Sequence, residues 1–128
     1  MKTLNNYIQK AQSALFDEMG VFFAFGDEQF NKSKKEGVTY TSLGMGIFCP
    51  IDNAKLFIEK HRNIVSEGMK ADLAENGKEA IIKRALRNYE SYYTGCIEDA
   101  TESVLEYGFT EEDVYQVYKA NRAQALED

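Results

Sequence analysis

Apolar side chains recur at helical spacing over most of the chain, three to four residues apart. Residues 3–17 carry such a stripe, and Thr3 is predicted to be the N-cap of this helix. Residues 27–36 predict a second, shorter helix, with Asp27 as its N-cap and Gly37 as its stop. The N-terminal third of the chain is therefore predicted to hold two helices separated by a non-helical segment.

Helical spacing returns after the single proline. Further helices are predicted over residues 52–75, 78–95 and 97–108, and from residue 110 onward. Glycines follow the first three of these segments, as is typical of helix C-termini. Thr110 is a good N-cap, and three acids follow it in the first turn. The last five residues are expected to fray.

The β signal is confined to residues 21–48. Val21 to Phe25 is a short apolar run that suits a buried strand, although a buried helical turn also fits. Val38 to Phe48 alternates in polarity and is interrupted by two glycines, which suits a small hairpin or a Gly-rich loop. The predicted fold class is α+β and predominantly helical, with four to five helices around one core and a small β-hairpin near residues 21–48.

The composition suits one globular domain over residues 1–128. The chain is 44% hydrophobic and 28% charged, which separates it from disordered sequences. Its N-terminus lacks the apolar stretch of a signal peptide, and no apolar run approaches the ~20 residues that a membrane span needs. We therefore expect a cytoplasmic protein without a membrane segment.

The net charge of −6 is unevenly distributed. Residues 97–128 hold nine acidic and two basic side chains, so the remainder of the chain is close to neutral. Direct nucleic-acid binding is not expected, because it requires a basic surface. Glu98, Glu102 and Glu106 recur every four positions and would share one helix face, where they would suit a basic partner. The alternative is a solvated surface whose acids serve helix N-termini.

No catalytic or metal-binding constellation is visible. His61 is the only imidazole, and Cys49 and Cys96 are far apart, so neither zinc nor a disulfide is predicted, and no cofactor is implied. Gly44-Met45-Gly46 lacks the third glycine and the Lys-Ser/Thr pair of a phosphate loop, and it predicts a turn instead. An enzyme is accordingly the least favoured class.

Polar-tipped aromatic residues crowd the second half of the chain. Tyr89, Tyr92 and Tyr93 fall within one predicted helix, and three more tyrosines follow. Tyrosine joins apolar area to a hydrogen-bonding tip and is enriched at protein interfaces. These residues mark either an interface or the rim of a helical core.

Two segments resemble signatures of a known group. Phe22 to Phe30, which reads FFAFGDEQF, resembles an FAFS-x-x-QF signature. Asn88 to Gly95, followed by Tyr107 to Glu112, resembles N-x-E-x-x-Y-T-G-D and YGYTEE, with Cys96 in the place of the Asp. Together they resemble small uncharacterised proteins of phages and mobile elements of gut bacteria. The resemblance implies a mobile-element origin and no particular chemistry.

The candidate binding residues come from these segments and from the acidic region. Polar groups inside apolar signatures need partners when they are buried, so the first segment is expected to lie beside the second. The candidates are Gln29, Phe30, Asn88, Glu90, Tyr92, Tyr93, Glu98, Glu102 and Glu106.

The favoured function is that of a small acidic interaction protein that binds a host or phage protein. A specific version is an inhibitor of a host defence or nucleic-acid-processing complex. The alternative is a small-ligand or nucleotide-binding domain whose pocket is formed by Phe22–Phe30 and Gly44–Pro50. Self-association into a homo-oligomer stays open.

Overall fold

The computed structural model describes residues 2–127, and these hold seven α-helices and one three-stranded sheet. The predominantly helical α+β class is confirmed. The described residues have seven α-helices where four to five were expected, and one of the additional helices arises because the helix predicted over 78–95 is two helices. The chain divides into two compact units, Leu4–Gly68, and Met69–Asp128 with Met1–Thr3. A single domain over residues 1–128 stays a prediction, and no helix among the described residues is long and apolar enough to cross a membrane.

The first unit combines helices with the sheet. Its elements are α1 (Leu4–Met19), β1 (Phe22–Phe23), α2 (Asp27–Ser33), β2 (Tyr40–Gly44), β3 (Ile47–Pro50) and the first part of α3 (Ala54–Asn76). A 3-10 turn, Ile51–Asn53, leads from β3 into α3. The strands pair antiparallel in the order β1-β3-β2. The expected small β element is therefore present as a three-stranded sheet: the hairpin spans residues 40–50, slightly beyond the predicted range, and the apolar run at 21–25 contributes a third, two-residue strand.

The hairpin turn is built on left-handed backbone. Gly44, Met45 and Gly46 have φ values of 88°, 53° and 79°, and the pairing of β2 with β3 shifts register between Ser42 and Gly44. Glycine adopts such values without steric cost, whereas methionine does not. The Gly-Met-Gly sequence is thus a turn, as predicted.

Helix α2 begins and ends differently from the prediction. Gly26 occupies the N-cap position, so Asp27 is the first helical residue rather than the cap. The helix ends at Ser33, not near residue 36, because Lys34 has an extended backbone. The Lys35 N–H is donated to the Tyr40 hydroxyl at 3.0 Å instead of to a helical carbonyl.

Close helix packing and an apolar cluster hold the first unit together. A side chain at Gly68 of α3 would collide with the Ile8 side chain of α1, so the two helices approach each other at a glycine. The buried apolar cluster of this unit consists of Leu15, Phe16, Met19, Val21, Cys49 and Phe57.

The regular elements among the described residues of the second unit are all helical. After the end of α3 come α4 (Lys78–Asn88), α5 (Ser91–Thr94), α6 (Glu98–Val104), a 3-10 turn (Leu105–Tyr107) and α7 (Glu111–Glu127). Its buried apolar cluster consists of Ile81, Ile82, Ala85, Leu86, Tyr92, Ala100, Val104, Phe109 and Val114. Buried side chains thus form two clusters, one in each unit.

Several predicted helix ends of the second unit are confirmed. Gly95 and Gly108 both have left-handed backbone after their helices, with φ values of 76° and 91°. Thr110 caps α7 by accepting the Asp113 N–H at 3.1 Å, and the Asp113 carboxylate accepts the Thr110 N–H at 2.9 Å. Helix α7 extends to Glu127, so four of the five residues that were predicted to fray have helical backbone, and the fifth lies outside the described residues.

Two predicted helical alignments are corrected. The tyrosine-bearing helix breaks at Glu90, whose φ of 52° is left-handed, so Tyr89 and Tyr92 do not share one helical stripe. Helix α6 ends at Val104, and Glu106 lies in the following 3-10 turn. The four-residue alignment therefore joins Glu98 to Glu102 within one α-helix and does not extend to Glu106.

Candidate functional site

Gln29 fixes the loop between β1 and α2. Its side-chain oxygen accepts the Phe25 backbone N–H at 2.7 Å. In a capping box, a glutamine at the third helical position accepts the backbone N–H of the N-cap residue. Gln29 is at that position, but it accepts the N–H of Phe25, which precedes the N-cap Gly26. Gln29 is itself exposed, so this candidate residue positions Phe25 rather than forming part of a buried site.

Phe30 belongs to an aromatic cluster beside the sheet. Its ring centroid lies 4.9 Å from that of Phe48 and 5.8 Å from those of Phe22 and Tyr40. Phe22 in turn contacts Tyr40 edge-on at 5.2 Å. Such pairs contribute about 0.5–1.5 kcal/mol each beyond the area that they bury. Phe30 therefore holds α2 against the hairpin.

An exposed apolar surface lies at the hairpin turn. We call Phe23, Phe25 and Met45 the aromatic patch; they are 50%, 76% and 89% exposed. The Phe23 and Phe25 rings are nearly parallel with centroids 6.3 Å apart, and the Phe25 ring lies against Gly46, next to Met45. Phe23 and Phe25 are thus contiguous and open to solvent, and Met45 is exposed beside the glycine that Phe25 covers.

A pocket of about 310 Å³ opens where α4 meets α5. We call it the tyrosine pocket; it is lined by Arg87, Glu90, Tyr92, Tyr93 and Ala125. Three residues selected from the sequence therefore lie together, and Arg87 and Ala125 were missed because neither belongs to a recognisable pattern. Asn88, another candidate, is the exposed last residue of α4 and does not line the pocket.

Tyr92 is the most enclosed residue of the tyrosine pocket. It is 4% exposed, and its ring stacks on that of Tyr118 at 5.7 Å. Burial raises the pKa of Tyr92, and the nearby positive charge of Arg87 partly opposes this. The phenol therefore stays protonated at neutral pH and is available as a hydrogen-bond donor.

Glu90 enters the tyrosine pocket on strained backbone. We expect Glu90→Gly to raise the free energy of unfolding by about 1 kcal/mol, because left-handed backbone costs a non-glycine residue roughly that amount. Urea denaturation measures the change. Glu79→Gly, in the ordinary helical backbone of α4, is the matched control and should destabilise by about 1 kcal/mol. Equal losses in both variants would contradict the assignment of strain to Glu90.

The second unit also contains a buried ionic network, which the sequence did not suggest. The side chain of Asp72 is fully buried and accepts hydrogen bonds from Arg84 at 2.7 and 3.2 Å. The Tyr107 hydroxyl and the Asn76 amide donate to the same carboxylate at 2.6 and 2.8 Å. Arg84 also donates to the Lys2 carbonyl oxygen at 2.9 Å. We call these residues the Asp72 network.

The pKa values in the Asp72 network follow from its contacts. Burial raises the pKa of Asp72, but the hydrogen bonds from Arg84, Tyr107 and Asn76 outweigh burial and bring the pKa below its ordinary value. Burial and the adjacent carboxylate both raise the pKa of Tyr107. Each charged group and each donated proton in the network has a partner within it. This pattern is typical of groups that stabilise the fold rather than of a catalytic acid/base pair.

The remaining candidates are placed as follows. Glu98, Glu102 and Glu106 are all exposed, and none of them forms an ion pair within the described part of the chain. Gln29 and Phe30 belong to one unit and the candidates at positions 88, 90 and 93 to the other, so their proximity stays a prediction.

His61 is held by local contacts. Its Nε2 lies 3.1 Å from the Gln12 side-chain nitrogen, and its ring stacks on Phe57 at 5.6 Å. Cys49 is buried and Cys96 is exposed. Among residues 2–127, no group of three or more His, Cys, Asp or Glu side chains is arranged to hold a metal ion. The histidine is therefore part of the helix packing of the first unit.

Comparison with known proteins matches the chain to a family. The model of a family of unknown function, DUF7659, matches residues 4–124. No curated protein and no solved structure matches the chain.

Proposed function

The chain belongs to the DUF7659 family, whose function is unknown, and we propose that it is an interaction protein that acts by binding another protein. The aromatic patch is the observation that carries this proposal. We further propose, from the signatures at residues 22–30 and 88–95, that it derives from a phage or mobile element and that its partner is a host or phage protein in the cytoplasm.

The construction of the aromatic patch favours a binding role. Large apolar side chains that are contiguous and exposed mark interaction sites in soluble proteins. The patch is also ordered by its surroundings: Gln29 holds the Phe25 backbone, and Phe25 packs over Gly46. A surface that is fixed before binding loses less conformational entropy when a partner covers it.

The exposed acidic side chains of the second unit favour a partner whose surface is basic. Glu98, Glu102 and Glu106 are exposed and are not neutralised by ion pairs among residues 2–127. Such charges accelerate association with a basic protein and make it sensitive to salt. Inhibition of a host nucleic-acid-processing complex, whose own binding surface is basic, is the version of the proposal that these charges favour.

Affinity capture from a bacterial host tests the aromatic patch. We expect Phe25→Ser combined with Met45→Ser to lower the amount of captured partner by more than about tenfold. The reason is that removal of central apolar side chains from an interface costs about 2 kcal/mol or more of binding free energy. The fold should be unaffected, since exposed substitutions change stability by about 0.5 kcal/mol or less.

The matched control is Leu56→Ser, a change from an exposed large apolar residue to serine outside both the aromatic patch and the acidic side chains. It should capture the partner as the parent does. The proposal fails if the double variant and the control retain the same partner equally, with circular dichroism unchanged.

A further inference from the structure

We propose that the tyrosine pocket binds a free α-amino acid with an apolar or aromatic side chain. This site is separate from the aromatic patch, and the proposal does not depend on the protein-binding function. Four features of the pocket support this proposal. Within the described part of the chain, it has two opposite charges that form no ion pair with each other, a phenol hydroxyl without a hydrogen-bond partner, an apolar wall and a small volume.

The charged groups of the pocket match a zwitterion. Arg87 and Glu90 both line it, yet their side chains form no ion pair or hydrogen bond with each other or with any other described residue. Among the described lining residues these two opposite charges balance. A ligand with both charges satisfies both groups, because its carboxylate accepts from the guanidinium and its ammonium donates to the Glu90 carboxylate.

The Tyr92 hydroxyl supplies a further donor. Tyr92 is almost completely buried, and its hydroxyl has no hydrogen-bond partner among the described residues. The oxygen is not enclosed either, since among these residues the Ser91 hydroxyl is the fully buried side-chain group without a partner. Tyr92 lines the pocket and lies near the Arg87 charge, so its hydroxyl is a donor without a described partner at this site. Tyr92 and Arg87 can together hold one carboxylate.

The wall and volume of the pocket set the ligand's size. Tyr93, which is 72% exposed, and Ala125 provide apolar surface for a side chain. A volume of about 310 Å³ is at the lower end of the range for ligand pockets, so it suits an amino acid better than a nucleotide. Phosphates are also disfavoured by the excess of nine acids over two bases in residues 97–128.

An NMR titration of the ¹⁵N-labelled protein with L-phenylalanine tests the proposal. We expect saturable shifts of the amides at residues 87–93 and 125, with a Kd on the order of 1 mM. N-acetyl-L-phenylalanine lacks the ammonium and L-phenylalaninamide lacks the carboxylate. Each should bind at least about tenfold more weakly, because one charged group of the pocket is then left without a partner.

Two variants separate this site from non-specific aromatic binding. Arg87→Gln and Tyr92→Phe should each weaken L-phenylalanine binding about tenfold, whereas Arg122→Gln, an exposed arginine of α7 outside the pocket, should not. The Tyr92→Phe variant keeps the buried ring, so its fold is preserved. Absence of saturable shifts with both L-phenylalanine and L-leucine at about 20 mM, or binding that survives both variants, would overturn the proposal.

Discussion

Replacement of Asp72 by asparagine is expected to lower the free energy of unfolding by about 3–5 kcal/mol. The carboxylate is fully buried and carries three side-chain partners, of which Arg84 is itself mostly buried. The substitution leaves the guanidinium charge without its counterion in a poorly solvated place. An effect of this size is a large fraction of the stability of a small protein.

Urea denaturation of Asp72→Asn at neutral pH measures this loss. Asp99→Asn, at an exposed position in α6, is the matched control and should change stability by about 0.5 kcal/mol or less. A loss below about 1 kcal/mol in Asp72→Asn would mean that the network is not an anchor of the second unit.

The same carboxylate makes stability depend on pH. The pKa of Asp72 is lower in the folded protein than in the unfolded chain, where it is about 3.9. Its contribution is therefore complete above the unfolded pKa and is lost as the pH falls through the folded pKa. The stability difference between the parent and Asp72→Asn should be constant near neutral pH and should shrink below about pH 4.

The second large effect is expected at Gly68. We expect Gly68→Ala to destabilise the first unit by about 2 kcal/mol, although alanine is the better helix former by about 1 kcal/mol. The added methyl group would occupy the space of the Ile8 side chain, so α1 and α3 must separate. Thermal or urea unfolding gives the magnitude.

A double-mutant cycle identifies the cause of the Gly68 effect. Ile8→Ala removes the methyl group that the new side chain would meet, so Gly68→Ala should cost less in that background. Ser66→Ala, an exposed change in the same helix, serves as control and should be nearly neutral. Additive effects of the two substitutions would show that the helices do not meet at this pair.

The sequence predicted helix ends well where the local chemistry is unambiguous. Gly95 and Gly108 follow their helices with left-handed backbone, and Thr110 caps α7, because each requirement is met by the residue itself. The break at Glu90, which has a positive φ, was missed because glutamate is a good helix former. Local propensity carries no signal of such strain.

Candidate site residues were found in part. The segments at 22–30 and 88–95 were selected, and they supply most of the aromatic patch and the tyrosine pocket. Their composition did not reveal which rings face solvent: Phe22 packs in a cluster while Phe23 is exposed. The Asp72 network was not predicted, because Arg84 and Tyr107 lie on elements other than the helix of Asp72 and nothing in the sequence marks that pairing.

Site-directed photocrosslinking in bacterial cells that express the protein tests the central claim, that the aromatic patch binds a protein partner. Benzoylphenylalanine is incorporated in place of Phe25, and in a second protein in place of Tyr115, an exposed aromatic residue of α7. A discrete protein adduct is expected on irradiation from position 25, and none from position 115. The absence of an adduct from position 25, or the same set of adducts from both positions, would contradict it.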